Sequence, residues 1–400
     1  MDRAPLSHTA HIEPNLRRLR ACLAVHEHGG VQHAARRLHL SQSSVTRAVQ
    51  ELERQAGVAL FERTSQGMVV TEFGMLLVER AGRALAHLEA AEKELGRRFS
   101  GKVTHRQLAA LVAIADHSTE TAAAQHLAIS QPAVTMALRD LERLLGQALF
   151  LRTSRGMAAT EAGEVLVRRA KLAFSEIGVA GSEIAARLGT IAGRVALGVL
   201  PLSGALLTSR AINLLLAEHP GVQVTVVDGT YEALLQGLLC GDLDVIVGGL
   251  NYPAPREVLQ ERLFVDRLSV VARKGHPLLR RRGLSLADLA GSEWIMPRRG
   301  TPPRVRFDAL MREAGIVPAG SPVESNVLSA VRALLAESDR LAILSRQQIH
   351  FEEQAGLLAA LPLELESTAI HIGVRTRADA KLSRPVQSLL AQLRAVAQPG

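Results

Sequence analysis

Apolar positions fall into helical spacing from Leu16 onward. In "NLRRLRACLAVHEHGG", Leu16, Leu19, Leu23 and His26 lie near one face of a helix, and Gly29 and Gly30 stop it. A short second helix is predicted in "QHAARRLHL". Ser41 stands as the N-cap of a third, where Val45, Ala48, Val49 and Leu52 make an apolar stripe at i, i+3, i+4 and i+7. The other face turns Gln42, Ser43, Thr46, Arg47 and Gln50 to solvent. Short β-rich runs take over in "ALFERTSQGMVVT", predicting a two-stranded wing with "SQG" as its turn and Arg63 at its base. From Thr71 the period is helical again: Leu77, Ala81, Ala84, Leu88, Ala91 and Leu95 step by fours and threes, a heptad seam whose alanines permit close packing.

The whole succession then recurs. "SQSSVTRAVQELERQAGVALFERTSQGMVVTEFG" (Ser41 to Gly74) aligns without a gap to "SQPAVTMALRDLERLLGQALFLRTSRGMAATEAG" (Ser130 to Gly163), eighty-nine residues on, and 20 of 34 positions agree. This is an internal duplication. The second copy turns Gln131, Pro132, Thr135 and Arg139 outward, puts Arg152 and Arg155 on its wing, and carries its own seam at Leu166, Ala170, Ala173, Ile177, Ala180 and Ile184.

Two short helices and a third with a small, polar, partly basic outer face make a helix-turn-helix, whose last helix fits the major groove of DNA. Gln and Arg there hydrogen-bond base edges, and Ser or Thr permits close approach. Basic wing residues meet phosphates. The candidate DNA-binding residues are therefore Gln42, Ser43, Ser44, Thr46, Arg47, Gln50 and Arg63, then Gln131, Pro132, Thr135, Arg139, Arg152 and Arg155. The alternative for any one of them is a solvated helix face; two complete copies tell against it.

From Gly193 the pattern changes to short strands, "RVALGVL", "VQVTVVD" and "LDVIVGG", separated by helical stretches. A second set runs from "EWIMP" through "SNVLSAVRALLAES" to "RLAILS", with "RLSVVAR" and "AIHIGVR" as crossovers between two subdomains. Such alternation predicts parallel sheets covered by helices, with ligands at the carboxyl ends of strands and between the lobes. Candidate polar groups are Ser203, Thr230, Gly248 with Gly249, Thr301, and Ser325 with Asn326, each with a plain helix cap as the alternative.

Composition narrows the choice. With 400 residues, 47% hydrophobic and 22% charged, the chain is globular and multidomain. Aromatics at 3% argue against stacking platforms for single strands. The net charge of +8 is spread, 24 basic against 19 acidic residues over 1–190 and 23 against 20 beyond, so charge alone does not establish nucleic-acid binding. Cys22 and Cys240 match no metal spacing, and "HEHGG" has Gly30 where a zinc motif needs its second His. No phosphate-cradling Gly-Lys-Ser loop, nucleophile elbow, or paired acid and base stands out, so an enzyme, possible on such a scaffold, is disfavoured. The N-terminal stretch shows no apolar h-region and no apolar run approaches the length of a membrane span, so a cytoplasmic protein is expected rather than an exported solute-binding protein. No cofactor or metal is expected.

The pattern "AARRLHLSQSSVTRAVQELE" onward, and again "AAAQHLAISQPAVTMALRDLE", resembles the DNA-binding head of the LysR-type transcriptional regulators, and the strand-helix half is similar to that family's effector domain. Within the family, "LGVLPLSGALL", "VQVTVVDGTYEALLQGLLCGDLDVIVGGL" and "VVARKGHPL" look most like the galactose-binding-protein regulator branch. The resemblance implies an α+β multidomain chain: two tandem winged helix-turn-helix domains (16–74 and 105–163) with long linker helices (75–96 and 164–190) after a flexible N-terminus (1–15). An α/β two-lobed periplasmic-binding-protein-like (type 2) effector domain follows over 193–400, with lobe I at about 193–268 and 372–400 and lobe II at about 269–371. It also implies a bacterial homo-oligomer on double-stranded promoter DNA, a small-molecule effector such as a sugar, and RNA polymerase as a further partner. The chain departs from the family in its two heads, and in having Gln50 and Met136 where a basic reader is usual. In that family two subunits pack their long helices antiparallel. Here Gly96 to Thr104, able to reach roughly 30 Å when extended, would let the heads of one chain form a covalent pseudo-dimer. The rival expectation is that the second helix pairs between chains.

Overall fold

The computed structural model describes residues 12–398 apart from 66, 201–204, 251–252 and 366–367. The first copy comprises α1 (Leu16–His28), α2 (Val31–Leu38), α3 (Gln42–Ala56), an antiparallel ribbon of β1 (Phe61–Thr64) and β2 (Gly67–Val70), and α4 (Glu72–Leu95). The second repeats it as α5 (His105–His117), α6 (Glu120–His126), α7 (Gln131–Leu145), β3 (Phe150–Thr153), β4 (Gly156–Ala159) and α8 (Glu161–Arg187).

Caps fix these boundaries. The Thr71 and Thr160 hydroxyls accept from the Gly74 and Gly163 amides at the starts of the long helices. Both glycines are needed for space, because a Cβ at Gly74 would stand 2.0 Å from the Leu60 carbonyl oxygen and one at Gly163 would stand 2.1 Å from that of Leu149. The buried stripe of α1 is Leu16, Leu19, Cys22 and Val25; Leu23 and His26, expected on it, are half-buried. The N-terminal segment is also less free than expected, since Ile12 is buried and Asn15 caps α1.

Helices α4 and α8 pack against each other along the expected seam. Leu77, Ala81, Ala84, Leu88 and Ala91 meet Leu166, Ala170, Ala173, Ile177, Ala180 and Ile184 in one core that also takes in both three-helix units. The ion pairs give the direction: Glu72 meets Arg187, Arg80 meets Glu176 and Glu183, and Glu94 meets Arg168 and Arg169, so the helices are antiparallel. The connection at 96–104 is a packed corner rather than an extended tether. Phe99 and Val103 are buried, and the Glu92 carboxylate accepts from the Phe99 and Ser100 amides.

The remainder holds β5 (Gly193–Val199), α9 (Ala205–Glu218), β6 (Val222–Asp228), α10 (Tyr231–Cys240), β7 (Val245–Gly249), β8 (Val258–Asp266), β9 (Leu268–Arg273), β10 (Glu293–Met296), α11 (Pro302–Glu313), β11 (Ala319–Glu324), α12 (Leu328–Ala336), β12 (Leu341–Ser345), α13 (His350–Gln354), β13 (Leu358–Ala360), β14 (Ile370–Arg377) and α14 (Arg384–Ala397). One sheet has the order β6-β5-β7-β14-β8 and the other β11-β10-β12-β9-β13. Both are mixed, which corrects the expectation of parallel sheets: β14 runs antiparallel to β7 and β8, and β9 antiparallel to β12 and β13. The chain passes between sheets at Arg267 and returns before Ile370, two residues ahead of the expected boundary at 372. This unit docks on the paired helices through Lys171 to Asp242 at 2.8 Å and Arg83 to the Asp379 carbonyl at 2.6 Å.

Candidate DNA-binding and effector-binding sites

Each three-helix unit builds its outer face from the first turns of its third helix and from its ribbon. Ser41 caps α3 by accepting from the Ser44 amide, and its hydroxyl is shared with those of Ser43 and Ser44. Ser44 and Thr46 are half-buried, whereas Gln42, Ser43, Arg47, Gln50 and Arg63 are exposed. The ribbon is anchored by the Met68 amide, which donates to the Gly29 carbonyl. Gly67 has a positive φ of 124° there, and a Cβ would stand 2.6 Å from that oxygen.

In the second unit Gln131, Pro132, Arg139, Arg152 and Arg155 are exposed and Thr135 is half-buried. Here a residue that sequence reasoning missed ties the face together. The Glu120 carboxylate, 10% exposed, accepts from the Thr135 hydroxyl at 3.0 Å and lies 3.6 Å from the Arg152 guanidinium. Eighty-nine residues earlier the position is Val31, and Thr46 and Arg63 have no such carboxylate. Exposed Arg36 and Arg37 on α2 were also missed; their counterparts are Gln125 and His126.

The family model for bacterial regulatory helix-turn-helix proteins of the LysR family matches this part of the chain twice, at residues 16–75 and again at 105–164, and the model for the LysR substrate-binding domain matches 189–398. The chain belongs to the LysR family. It is a DNA-binding transcriptional regulator with an effector-binding domain, not an enzyme. It is 36% identical to the HTH-type transcriptional regulator GalR of Pseudomonas putida over 388 residues, covering 96% of this chain and 97% of that one. Full-length OxyR from Pseudomonas aeruginosa shares the fold at a TM-score of 0.58 and 20% identity, covering 74% of this chain and all of that one. Full-length CbnR in complex with its target DNA does so at 0.51 and 22%, covering 73% and 99%. About a quarter of this LysR-family chain therefore lies outside those two structures, while the GalR match runs nearly end to end.

In the effector-binding domain the expected residues fall into two groups. Thr230 caps α10, accepting from the Ala233 amide at 3.3 Å. Gly248 is buried, and a Cβ there would stand 2.5 Å from that of Leu200. The Gly249 carbonyl accepts from the fully buried Arg375 guanidinium, which stacks 5.1 Å over the Tyr231 ring. Thr301, Ser325 and Asn326 converge instead on the loop after β10. Thr301 donates to the Arg298 carbonyl, Asn326 accepts from the Arg298 amide, and the Ser325 amide donates to the Met296 carbonyl. That loop presents the exposed side chains of Arg298 and Arg299, a second signal sequence reasoning passed over. Ser203 lies outside the described residues. A cavity of about 380 Å³ beside α11, lined by Met296, Arg304, Phe307 and Met311 among others, takes in none of these candidates.

Neither cysteine is redox-paired. Burial pushes the Cys22 thiol up to about 12 and raises that of the part-buried Cys240 as well. Among the described residues no cluster suited to a metal occurs, and no helix is long and apolar enough to cross a membrane.

Proposed function

We propose that the two units are tandem winged helix-turn-helix domains that grip bacterial promoter DNA together, with α4 and α8 as the linker helices of a pseudo-dimer built within one chain. The antiparallel packing of α4 on α8 carries this reading, because it gives one chain the head-to-head arrangement that otherwise takes two. The domain division is the one read from the sequence, with 16–74 and 105–163 as heads and 193–400 as a two-lobed effector domain. The protein then acts in the cytoplasm, where its DNA is, with RNA polymerase as the partner that reads out its state. Footprinting upstream of its own gene tests this. Thr46→Ala with Arg47→Ala, and Thr135→Ala with Arg139→Ala, should each remove a discrete part of the footprint; a variant that leaves it intact marks its head as a scaffold.

The effector is a small molecule taken between the two sheets, at the loop held by Thr301, Ser325 and Asn326. The family branch suggests a sugar. The exposed Arg298 and Arg299 favour a ligand that carries a carboxylate as well as hydroxyls. Thermal shift of the full chain against neutral sugars and hydroxylated acids separates the two, with Arg298→Ala abolishing the response only to the acid.

A further inference from the structure

The two heads present unlike side chains at matching places. Gln42 and Thr46 recur as Gln131 and Thr135, but Ser43 becomes Pro132, Arg47 becomes Met136, and Gln50 becomes Arg139. All six of these differing residues are exposed, Met136 at 62%. An arginine such as Arg47 makes a bidentate pair with guanine, whereas the methionine in its place, Met136, offers only apolar contact, as to a thymine methyl. At the next, Gln suits adenine and Arg suits guanine. The grip on phosphates differs too, since Arg36 and Arg37 have no basic arginine counterpart and Glu120 has no acidic one.

The seam keeps these unlike heads together. With a shift of eighty-nine residues, Arg80 to Glu183 and Arg169 to Glu94 are the same contact made twice, exchanged about a pseudo-twofold axis. On that axis each residue should face its own counterpart, and the pair found there is His87 with Glu176. Glu176, 7% exposed, is met at the same place by Arg80 and Arg83. If α8 paired with α8 of a second chain, two Glu176 carboxylates would meet at the buried axis. If α4 paired with α4, Arg80 and Arg83 would lose Glu176. Of these pairings only the mixed α4–α8 pair, here made within one chain, gives Glu176 both arginines. The starts of the two long helices, Glu72 and Glu161, lie at opposite ends of this antiparallel seam.

We propose that a single chain reads one DNA site of two unlike half-sites, and so lies on the DNA with a fixed polarity. A homodimer of identical heads is matched to a palindrome; this chain is not. The proposal rests on the regulator reading above, and the test separates their failures.

The full chain is used to select from a duplex library with a random core, beside Met136→Arg with Arg139→Gln, which gives α7 the two readers of α3. For the wild type the expected product is a motif of unlike halves bound by one chain. A duplex carrying the first half twice, inverted, should bind about tenfold more weakly, the effect of one poorly matched base contact. The double variant should reverse that order and select a more symmetric motif. Enrichment of a palindrome by the wild type, of a single half, or of a site that needs two chains overturns the proposal and leaves a DNA-binding regulator. Enrichment of nothing overturns the regulator reading, and this proposal with it.

Discussion

The Arg80 guanidinium lies 2.7 Å from the Glu176 carboxylate across the α4–α8 seam, with 1% and 7% of the two side chains exposed. Glu183 takes the rest of the fork at 2.6 and 2.9 Å, so every ionised group in this part of the core is met. Burial lowers the tendency of Arg80 to hold its proton, and the two carboxylates outweigh it. Breaking such a pair strands charge, while replacing it whole with apolar groups need not. Arg80→Met should therefore cost about 3 kcal/mol in urea unfolding, and Arg80→Met with Glu176→Leu and Glu183→Leu should recover much of that. Equal losses in the two proteins would show that the network adds nothing of its own.

Glu120 sits among groups that should face phosphates. Glu120→Gln removes its charge and retains an acceptor for Thr135. DNA binding should tighten, and the plot of log affinity against log salt should steepen by about one unit, as for one added phosphate contact. The matching change Val31→Glu in the first head should do the reverse. Binding that ignores both would place the acid off the DNA face.

Gly74 and Gly163 face backbone oxygens at the joints between ribbon and long helix. Alanine in either place must push strand and helix apart, a cost of about 1–3 kcal/mol that thermal melting would register. Gly82, with nothing within 4 Å of an added Cβ, is the control: Gly82→Ala should stabilise.

Two histidines set a pH dependence. Desolvation by burial lowers the pKa of His87 between the long helices and of His105, which packs edge-on against Phe174. A group whose folded pKa is lowered favours the fold above its unfolded value, roughly 6.5, and takes that stability away as pH falls through the folded one. The melting temperature should fall as the pH drops below that ordinary histidine value, roughly 6.5, and His87→Gln with His105→Gln should flatten the fall. An unchanged profile in the double variant would assign the acid sensitivity elsewhere.

Much of this architecture is legible in the sequence because periodicity reports burial. The steps of four and three from Leu77 to Ala91 mark residues that are fully buried. Where burial is one-sided or local, the signal fades. The strand β8 is not legible in the sequence, because its centre reads Gln260, Glu261, Arg262, and it lies at the sheet edge, where Glu261 pairs with Arg394. The corner at 96–104 reads as a linker from its Gly96 and Gly101, but Phe99 and Val103 find cover that only the assembled helices supply. Glu120 could not be found from spacing, since what matters is its approach to Thr135 and Arg152 in space. The effector side suffers most: Thr301 and Asn326 look like ligand groups in the sequence, and in the fold they first hold the Arg298 backbone.

The folded corner between the two copies has a consequence for how the protein behaves when scarce. Two separate subunits fall apart on dilution, whereas segments joined by a short connection see each other at an effective concentration on the order of millimolar. The paired helices thus stay paired on dilution, where two separate subunits would part, and exchange of heads between chains is disfavoured. A cell holding an intact and a damaged copy of the gene would make two pure populations across this seam, and the defective chains would have no route through it to poison the sound ones.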